Sequence, residues 1–451
     1  MLRHCLLAFT ITILSLGAAV AQTNVTPDAK GAAAANEEKF DSPRLAALAK
    51  EIKAGNRAAL DAFWLELKDK APLVEPVTGN EKYLWVSYVW RGDSQAGRVD
   101  MIGGLPAADE FTKPLARLLD TDLWYRTERL PNDSRFTYTF IVNFVKPAPG
   151  DKDATQKLMA QLRRDPLNAR TFPFPPGSTI VELPAAPPQP WIKRLPDTPQ
   201  GEIKPHKIKS EILKEERAIR IYTPPGYDPK GKPCGLLIYF DGEAVPFAVP
   251  LPTILDGLIA GKKIPPMVAV MVNSQTTRER DLACSPQFAD FLAKELVTWT
   301  RGNFNISADP TQTVVSGFSL GGLAAVYCGL RHPEVFGNVL SQSGSFWYFD
   351  GWKQSADIFE RNFFADSGWL TRQFAKSPRL PLRFFMEVGM LEQGIPINMV
   401  LENRRLHDVL TAKGYPVTYS EYNGGHDMLC WRGSLADGLI ALVGKQKEKQ
   451  P

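Results

Sequence analysis

The sequence predicts two domains, an antiparallel β domain followed by a doubly wound α/β domain. The 451 residues exceed what one hydrophobic core usually organises. Between residues 82 and 145 the chain has short β-rich runs separated by Gly, Asp, Asn and Pro, which is typical of antiparallel sheets. Beyond residue 195, nearly continuous apolar strands alternate with helical segments. Such strands indicate a mostly parallel sheet that helices cover on both faces.

Composition and charge place the chain among ordinary globular proteins. Hydrophobic residues make up 44% and charged residues 23% of the sequence, unlike collagen-like, disordered or polytopic membrane proteins. Lysine and arginine number 53 against 49 acidic residues, a net charge of +4, and no long basic run occurs. We therefore expect no nucleic-acid partner, because binding to a phosphate backbone requires clustered positive charge.

The first 21 residues have the pattern of a secretory signal peptide. A short basic start precedes an apolar run from Cys5 to Leu16, and Ala-Val-Ala occupies 19–21. The run is too short for stable insertion into a membrane. We expect cleavage after Ala21 and a periplasmic or secreted protein. Residues 22–44 are predicted to form a flexible tether.

The proline-dense stretch at 184–199 is typical of a linker between folding units. The β domain, with a leading helix at 45–67, is expected over 45–195 and the α/β domain over 196–447. In the second domain, an amphipathic helix is predicted around 288–299. Its strands are predicted at 236–240, 267–272, 313–316, 382–388 and 417–422.

Four cysteines remain once the signal peptide is removed. Export to an oxidising compartment would allow one or two disulfides, and buried free thiols are the alternative. No CxxC pair or Cys/His cluster occurs in the sequence, so we expect no metal and no other cofactor. The four are Cys234, Cys284, Cys328 and Cys430.

The sequence GFSLG at 317–321 lies between an apolar strand and a helix-forming run. This context is typical of the nucleophile elbow of an α/β-hydrolase, with Ser319 as the nucleophile. Glycines at 317 and 321 are expected because a side chain there would collide with the neighbouring strand or helix. The helix N-terminus after Ser319 stabilises negative charge.

A general base must follow the nucleophile, and elimination among five histidines predicts His426. His4 leaves with the signal peptide, His206 precedes the hydrolase strands, His332 ends the nucleophile helix, and His407 belongs to an amphipathic helix. His426 follows the last strand in the loop NGGHD, where an α/β-hydrolase presents its base.

The acid of a catalytic triad is predicted at Glu392, three residues past Gly389 at the end of a strand. It would orient the imidazole and stabilise its charge. Asp350, Asp427 and Glu387 are the alternatives. A glutamine at 392 is expected to cost less activity than loss of the nucleophile, because a neutral amide still accepts a hydrogen bond.

An oxyanion hole needs two backbone donors. The amide of Leu320, directly after the nucleophile, is the first. The amide of Glu243 in the loop FDGEA is expected to be the second, with Gly242 leaving the backbone accessible.

Long stretches resemble the enterochelin esterase family over nearly the whole mature length. In the β domain they are VSYVWRG, DLWYRTERLPNDSRFTY, DPLNAR and VELPAAPPQPW. In the α/β domain they lie at 278–288 (RERDLACSPQF), 316–348 (SGFSLGGLAAVYCGLRHPEVFGNVLSQSGSFWY), 386–392 (MEVGMLE) and 423–433 (NGGHDMLCWRG).

The resemblance implies an immunoglobulin-like β-sandwich as the first domain and a serine esterase as the second. The implied substrate is enterochelin, a tri-serine lactone siderophore with catechol groups, or its linear or ferric forms. An exported carbohydrate esterase that removes feruloyl or acetyl groups is one alternative. A non-catalytic protein that binds ferric siderophores is another.

An aromatic, anionic substrate would need aromatic and cationic partners. The candidates for stacking on catechol rings are Phe346, Trp347, Tyr348 and Trp431, with core packing as the alternative. The candidates for meeting the negative charge are Arg278, Arg280 and Arg432, with surface ion pairs as the alternative.

Overall fold

The computed structural model describes residues 40–103, 112–145, 153–173, 177–349, 368–394 and 397–444. The predicted signal peptide, most of the predicted tether and Asp350 lie outside these ranges. The first helix begins at Pro43, inside the segment predicted as a tether. Contacts within the chain separate a compact unit that ends at Ala186 from another that begins at Pro187.

The N-terminal unit begins with two helices rather than the single helix predicted at 45–67. Gly55 separates them with φ +89°, a left-handed conformation that ends a helix and that glycine adopts without steric cost. Leu45, Leu48 and Phe63 on these helices are buried in one cluster with Val89 of the sheet. The helices of this unit are α1 Pro43–Lys53, α2 Ala58–Leu67 and α3 Ala154–Gln161.

Two antiparallel sheets complete this unit, as the β-rich runs predict. Their orders are β1-β2-β6-β5 and β4-β3-β7-β10-β9, with β8 paired to β7. The strands are β1 Leu73–Pro76, β2 Tyr83–Arg91, β3 Val99–Ile102, β4 Lys113–Pro114, β5 Ala116–Arg117, β6 Leu123–Pro131, β7 Arg135–Val142, β8 Leu162–Arg163, β9 Thr171–Phe172 and β10 Ser178–Glu182.

The C-terminal unit contains an eight-stranded sheet. Its strands are β11 Glu202–Ser210, β12 Glu215–Thr223, β13 Gly235–Tyr239, β14 Met267–Val272, β15 Thr313–Phe318, β16 Asn338–Gln342, β17 Arg383–Gly389 and β18 Val417–Tyr422. Their order is β11-β12-β14-β13-β15-β16-β17-β18, parallel from β14 to β18. The predicted doubly wound α/β fold is confirmed.

The hairpin β11–β12, which pairs antiparallel with β14, was not among the predicted strands. The side chains of β11 are mostly exposed and charged, so the apolar pattern that marks the central strands is missing there.

Helices cover the sheet and bury its apolar side chains in a continuous core. The predicted amphipathic helix is continuous over 286–303, with a π-helical turn at Phe291–Leu296. The α-helices of this unit are α4 Leu251–Ala260, α5 Arg278–Leu282, α6 Pro286–Asp290, α7 Val297–Asn303, α8 Leu320–Arg331, α9 Trp369–Lys376, α10 Met399–Ala412 and α11 Met428–Val443.

The four cysteines in the described part of the chain are buried free thiols, so the disulfide alternative is wrong. In the described part of the chain no helix is long and apolar enough to cross a membrane. The same residues contain no group of three or more His, Cys, Asp or Glu side chains arranged to hold a metal ion.

Candidate active site

Four loops that carry predicted site residues leave the sheet at one edge. Asp241 to Glu243 follow β13, Ser319 follows β15, Glu392 follows β17 and His426 follows β18. Because these strands run parallel, their carboxyl ends meet at the same edge, where α/β proteins place their sites.

Ser319 occupies the sharp turn between β15 and α8. Its backbone angles are φ +58° and ψ −124°, an unfavourable conformation for a residue with a side chain. A Cβ on Gly317 would lie 2.6 Å from the backbone carbon of Gly321, so the turn requires glycine at 317, as expected. At 321 the expectation is wrong, because a Cβ there would make an ordinary 3.5 Å contact. The crowded position is Gly322, whose Cβ would lie 2.7 Å from Ser341 Oγ.

His426 and Glu392 are joined by a hydrogen bond. His426 Nδ1 lies 2.6 Å from Glu392 Oε2. The glutamate side chain is 1% exposed, whereas that of the histidine is 33% exposed. A carboxylate at Nδ1 holds the proton on that nitrogen and leaves Nε2 as the acceptor, which is the state a general base needs.

The other oxygen of Glu392 is fixed by two donors. Ser343 Oγ donates to Oε1 at 2.6 Å and Gly389 N donates to it at 2.8 Å. Trp431 Nε1 donates to Ser343 Oγ at 3.0 Å, so the serine proton is directed towards the carboxylate. Ser343 was not among the predicted site residues. The available signal was its position directly after β16, between the strands that carry Ser319 and Glu392.

The alternatives for the acid have other partners. Glu387 accepts hydrogen bonds from Gln342 Nε2 at 2.9 Å and from Ser434 Oγ at 2.5 Å, and burial raises its pKa to about 8. Asp427 caps α11 by accepting a hydrogen bond from Leu429 N. Glu392 is therefore the acid that contacts the candidate base.

The other described histidines lie elsewhere in the fold. His332 contacts Asp290 and Glu334 at the end of α8. His407 stacks on Tyr419 with ring centroids 4.5 Å apart. His206 lies on the outer strand β11. Their positions agree with the elimination that selected His426.

Trp431 contacts both the strand that precedes the candidate nucleophile and the candidate base. Its ring stacks on Phe318, 4.7 Å between centroids, and meets the ring of His426 edge-on at 4.7 Å. Ser319 Oγ lies 3.5 Å from Ser345 Oγ. Trp431 is 1% and Trp347 is 3% exposed. The prediction that these tryptophans stack on a ligand is wrong, because both belong to the core.

Two of the arginines predicted to meet the negative charge of a ligand, Arg278 and Arg280, form ion pairs within the protein. Arg278 is 2% exposed, and its Nε and Nη2 donate to the two carboxylate oxygens of Asp241, each at 2.9 Å. The prediction that it meets a ligand is therefore wrong. Arg280 is half-exposed but forms ion pairs with Glu215 and Asp281, which balance its charge.

Arg432 is partly buried, and its Nε donates to Gln189 Oε1 at 3.1 Å. Its contact with a ligand stays a prediction.

The two expected oxyanion donors follow β15 and β13, which are adjacent strands of the sheet. Leu320 is the first residue of α8. Glu243 lies in a short 3-10 turn, Gly242–Ala244, after β13. A Cβ on Gly242 would lie 2.8 Å from the backbone carbon of Met271, so the loop packs too closely on β14 for any other residue. The roles of both amides stay predictions.

Comparison with known proteins gives the family. A family model described as "Enterochelin esterase, N-terminal" matches residues 85–192, and one described as "Putative esterase" matches residues 210–442. An iron(III) enterobactin esterase of Escherichia coli O6:H1 is 31% identical over 382 residues, which are 81% of this chain and 88% of the relative. The chain belongs to the enterobactin esterase family.

Solved structures agree with this assignment. A ferric enterobactin esterase from Salmonella typhimurium is 28% identical, with a TM-score of 0.68 over 85% of this chain and 98% of that one. The enterobactin esterase of Shigella flexneri, solved in the presence of enterobactin, is 29% identical, with a TM-score of 0.65 over 84% and 97%. The resemblance predicted from the sequence is confirmed, and the chain is a carboxylic ester hydrolase with the α/β-hydrolase fold.

Replacing Glu392 by glutamine is expected to lower kcat for a neutral aryl ester by about 10²- to 10⁴-fold. The expectation that this change costs less than loss of the nucleophile stays a prediction, but the cost is large because the two oxygens of Glu392 accept from three donors. A glutamine amide has only one acceptor oxygen, so its NH₂ group must face one of these donors and the hydrogen bond there is lost. Glu421→Gln, which breaks an exposed ion pair with Arg404, is the control and should change kcat by less than about twofold. A Glu392→Gln enzyme with half the parent kcat would contradict the assignment.

Replacing Glu387 by glutamine should change how the stability of the esterase depends on pH. The folded-state pKa is about 8, against the ordinary value of 4.5. Between these two values Glu387 is protonated in the folded protein and ionised in the unfolded chain. The free energy of unfolding therefore falls as the pH rises across this range. Glutamine mimics the protonated acid, so the variant should not lose stability through this residue as the pH rises.

Thermal midpoints of both proteins, measured across that pH range, test the expectation. The midpoint of Glu387→Gln should rise relative to the parent as the pH increases. Glu216→Gln, at an exposed ion pair with Lys207, should follow the parent at every pH. A constant difference between Glu387→Gln and the parent would show that Glu387 does not titrate in this range.

Proposed function

We propose that this protein hydrolyses the ester bonds of enterobactin-type catecholate siderophores, and that Ser319, His426 and Glu392 carry out the reaction. The observation that carries the proposal is the 2.6 Å contact between His426 and the buried Glu392, on the same sheet edge as the strained turn at Ser319. Family relatives named iron(III) enterobactin esterase, which match along most of the chain, support the substrate class.

The chemistry follows from the roles of the three side chains. His426 Nε2 takes the proton of Ser319 Oγ as this oxygen attacks the ester carbonyl, and the amides of Leu320 and Glu243 bind the resulting oxyanion. The tetrahedral intermediate collapses, the ester oxygen leaves as the hydroxyl of a serine unit, and His426 returns the proton to it. Water then attacks the acyl-enzyme with the same base, so each ester opened consumes one water molecule.

Glu392 orients the imidazole through its contact with Nδ1. Its own position depends on Ser343 and Gly389, which hold the oxygen that does not face His426. A carboxylate fixed in this way stabilises the imidazolium that forms in each transition state.

The protein is, in this proposal, exported to the periplasm or beyond. The support is the sequence of residues 1–21, with its basic start, short apolar run and Ala-Val-Ala. Expression in a Gram-negative host should give a periplasmic protein that begins at Gln22, as measured by cell fractionation and intact mass. Replacing the apolar run with a polar sequence is the control and should leave the protein in the cytoplasm. A full-length cytoplasmic product from the native sequence would contradict export.

Substrate preference is the second test. The mature protein should hydrolyse enterobactin and its ferric complex with a kcat/KM at least about tenfold above that for feruloyl or acetylated sugar esters, because pocket contacts differ between these acyl groups. Chromatography of the linear catecholate products measures this. Ser319→Ala is the control and should bind the siderophore without turnover.

Preference for sugar esters would identify a carbohydrate esterase instead. Siderophore binding without turnover by the parent enzyme would identify a binding protein.

A further inference from the structure

The loop that carries the second oxyanion donor is held by a buried ion pair. Asp241 directly precedes this loop with φ +51°, and its carboxylate is fully buried. Arg278 of α5 binds both of its oxygens at 2.9 Å, and Ser274 Oγ donates to Oδ1 at 2.5 Å. A bidentate guanidinium contact fixes a carboxylate in orientation as well as in position.

A second arginine contacts the next peptide of the same loop. Arg220 of β12 donates from Nη2 to the carbonyl oxygen of Gly242. The peptide bond between Gly242 and Glu243 is planar, and in the trans form its N–H points away from its C=O. Fixing the carbonyl on Arg220 therefore fixes the direction of the Glu243 amide. The side chain of Glu243 is also held, because its Oε2 accepts a hydrogen bond from Ser274 N at 3.1 Å.

The loop packs directly against the nucleophile elbow. Phe240 N donates to Ser316 O on β15 at 3.0 Å. A Cβ placed on Gly321, in the first turn of α8, would lie 3.5 Å from Asp241 Oδ2. The carboxylate of Asp241 therefore lies beside the helix end that would stabilise the oxyanion. An unpaired negative charge at that place would oppose the charge that develops in the reaction, and Arg278 cancels it.

We propose that Arg278 and Arg220 are positioning residues that hold the Gly242–Glu243 peptide as the second donor of the oxyanion hole. Arg278 also neutralises Asp241 beside the nucleophile helix. The inference rests on the proposed serine-esterase chemistry but not on the siderophore substrate. In this proposal both arginines stabilise the transition state by holding an oxyanion donor in place. Their contribution to kcat is therefore independent of the charge of the ester.

The experiment measures Arg278→Met and Arg220→Met on two substrates, a neutral aryl acetate and enterobactin. Loss of a well-placed oxyanion donor costs about 10²- to 10³-fold in kcat, and a displaced donor is expected to cost about 10- to 100-fold. The loss should be equal for the two substrates, with KM changed by less than about threefold. The inhibition constant of phenylboronic acid, which forms a tetrahedral adduct on the serine, should rise by the same factor as kcat falls.

Two further variants separate positioning from loss of stability. Arg278→Lys keeps the charge but cannot reproduce the bidentate contact, so it should recover part of kcat. Adding Asp241→Asn to Arg278→Met removes the unpaired charge, so the double variant should have a higher kcat than Arg278→Met alone. Arg135→Met is the matched control, because Arg135 is also buried and forms an ion pair with Glu182 in the N-terminal unit. It should lower the thermal midpoint and leave kcat unchanged.

The outcomes distinguish this inference from the proposed function. Loss of enterobactin hydrolysis with unchanged hydrolysis of the neutral ester would overturn the positioning role and assign the arginines to the substrate. Unchanged phenylboronic acid affinity in folded variants would overturn it as well. A parent enzyme that hydrolyses the neutral ester but not enterobactin would contradict the siderophore substrate alone. A parent enzyme inactive on every ester would contradict the esterase chemistry, and the inference with it.

Discussion

The arrangement of this site depends on the cost of burying a carboxylate next to a histidine, the candidate base His426. A buried carboxylate is stable only when its oxygens find donors, and Glu392 has three, from Ser343, Gly389 and His426. The donors come from the loop after β16, the last residue of β17 and the loop after β18, all at the carboxyl edge of the sheet. The hydrogen bonds to this one carboxylate therefore fix the relative positions of the loops after β16, β17 and β18.

Three buried acids near this edge differ in how the protein accommodates a carboxyl group away from water. Asp241 is paired with a guanidinium, Glu392 is hydrogen-bonded to neutral donors and to the imidazole, and Glu387 has its pKa raised to about 8 by burial. The differences match their surroundings. The acid beside the helix N-terminus has its charge cancelled by an arginine, and the acid beside the candidate base is held by three hydrogen-bond donors.

The order of strands and loops in the sequence was sufficient to predict the α/β-hydrolase fold and to place Glu392 and His426 at one edge of the sheet, with Asp350, Asp427 and Glu387 left open as alternatives for the acid. Residues that follow parallel strands meet at one edge, so position along the chain translates into position in space. The direction of a side chain does not follow from that order. Trp431, Trp347 and Arg278 were predicted to contact a ligand, yet all three are buried. Ser343 was missed because only the packing of β16 between two functional strands brings it to Glu392.

The edge strand β11 also affects the association of one molecule of this protein with another. On β11, Lys204, Lys207 and Lys209 are exposed and form ion pairs with acidic neighbours. A charged outer strand resists the addition of a strand from another chain, which is a common route to aggregation. The hairpin β11–β12 thus separates β14 and the other apolar parallel strands from this edge of the sheet, where the charges of β11 disfavour the addition of another strand.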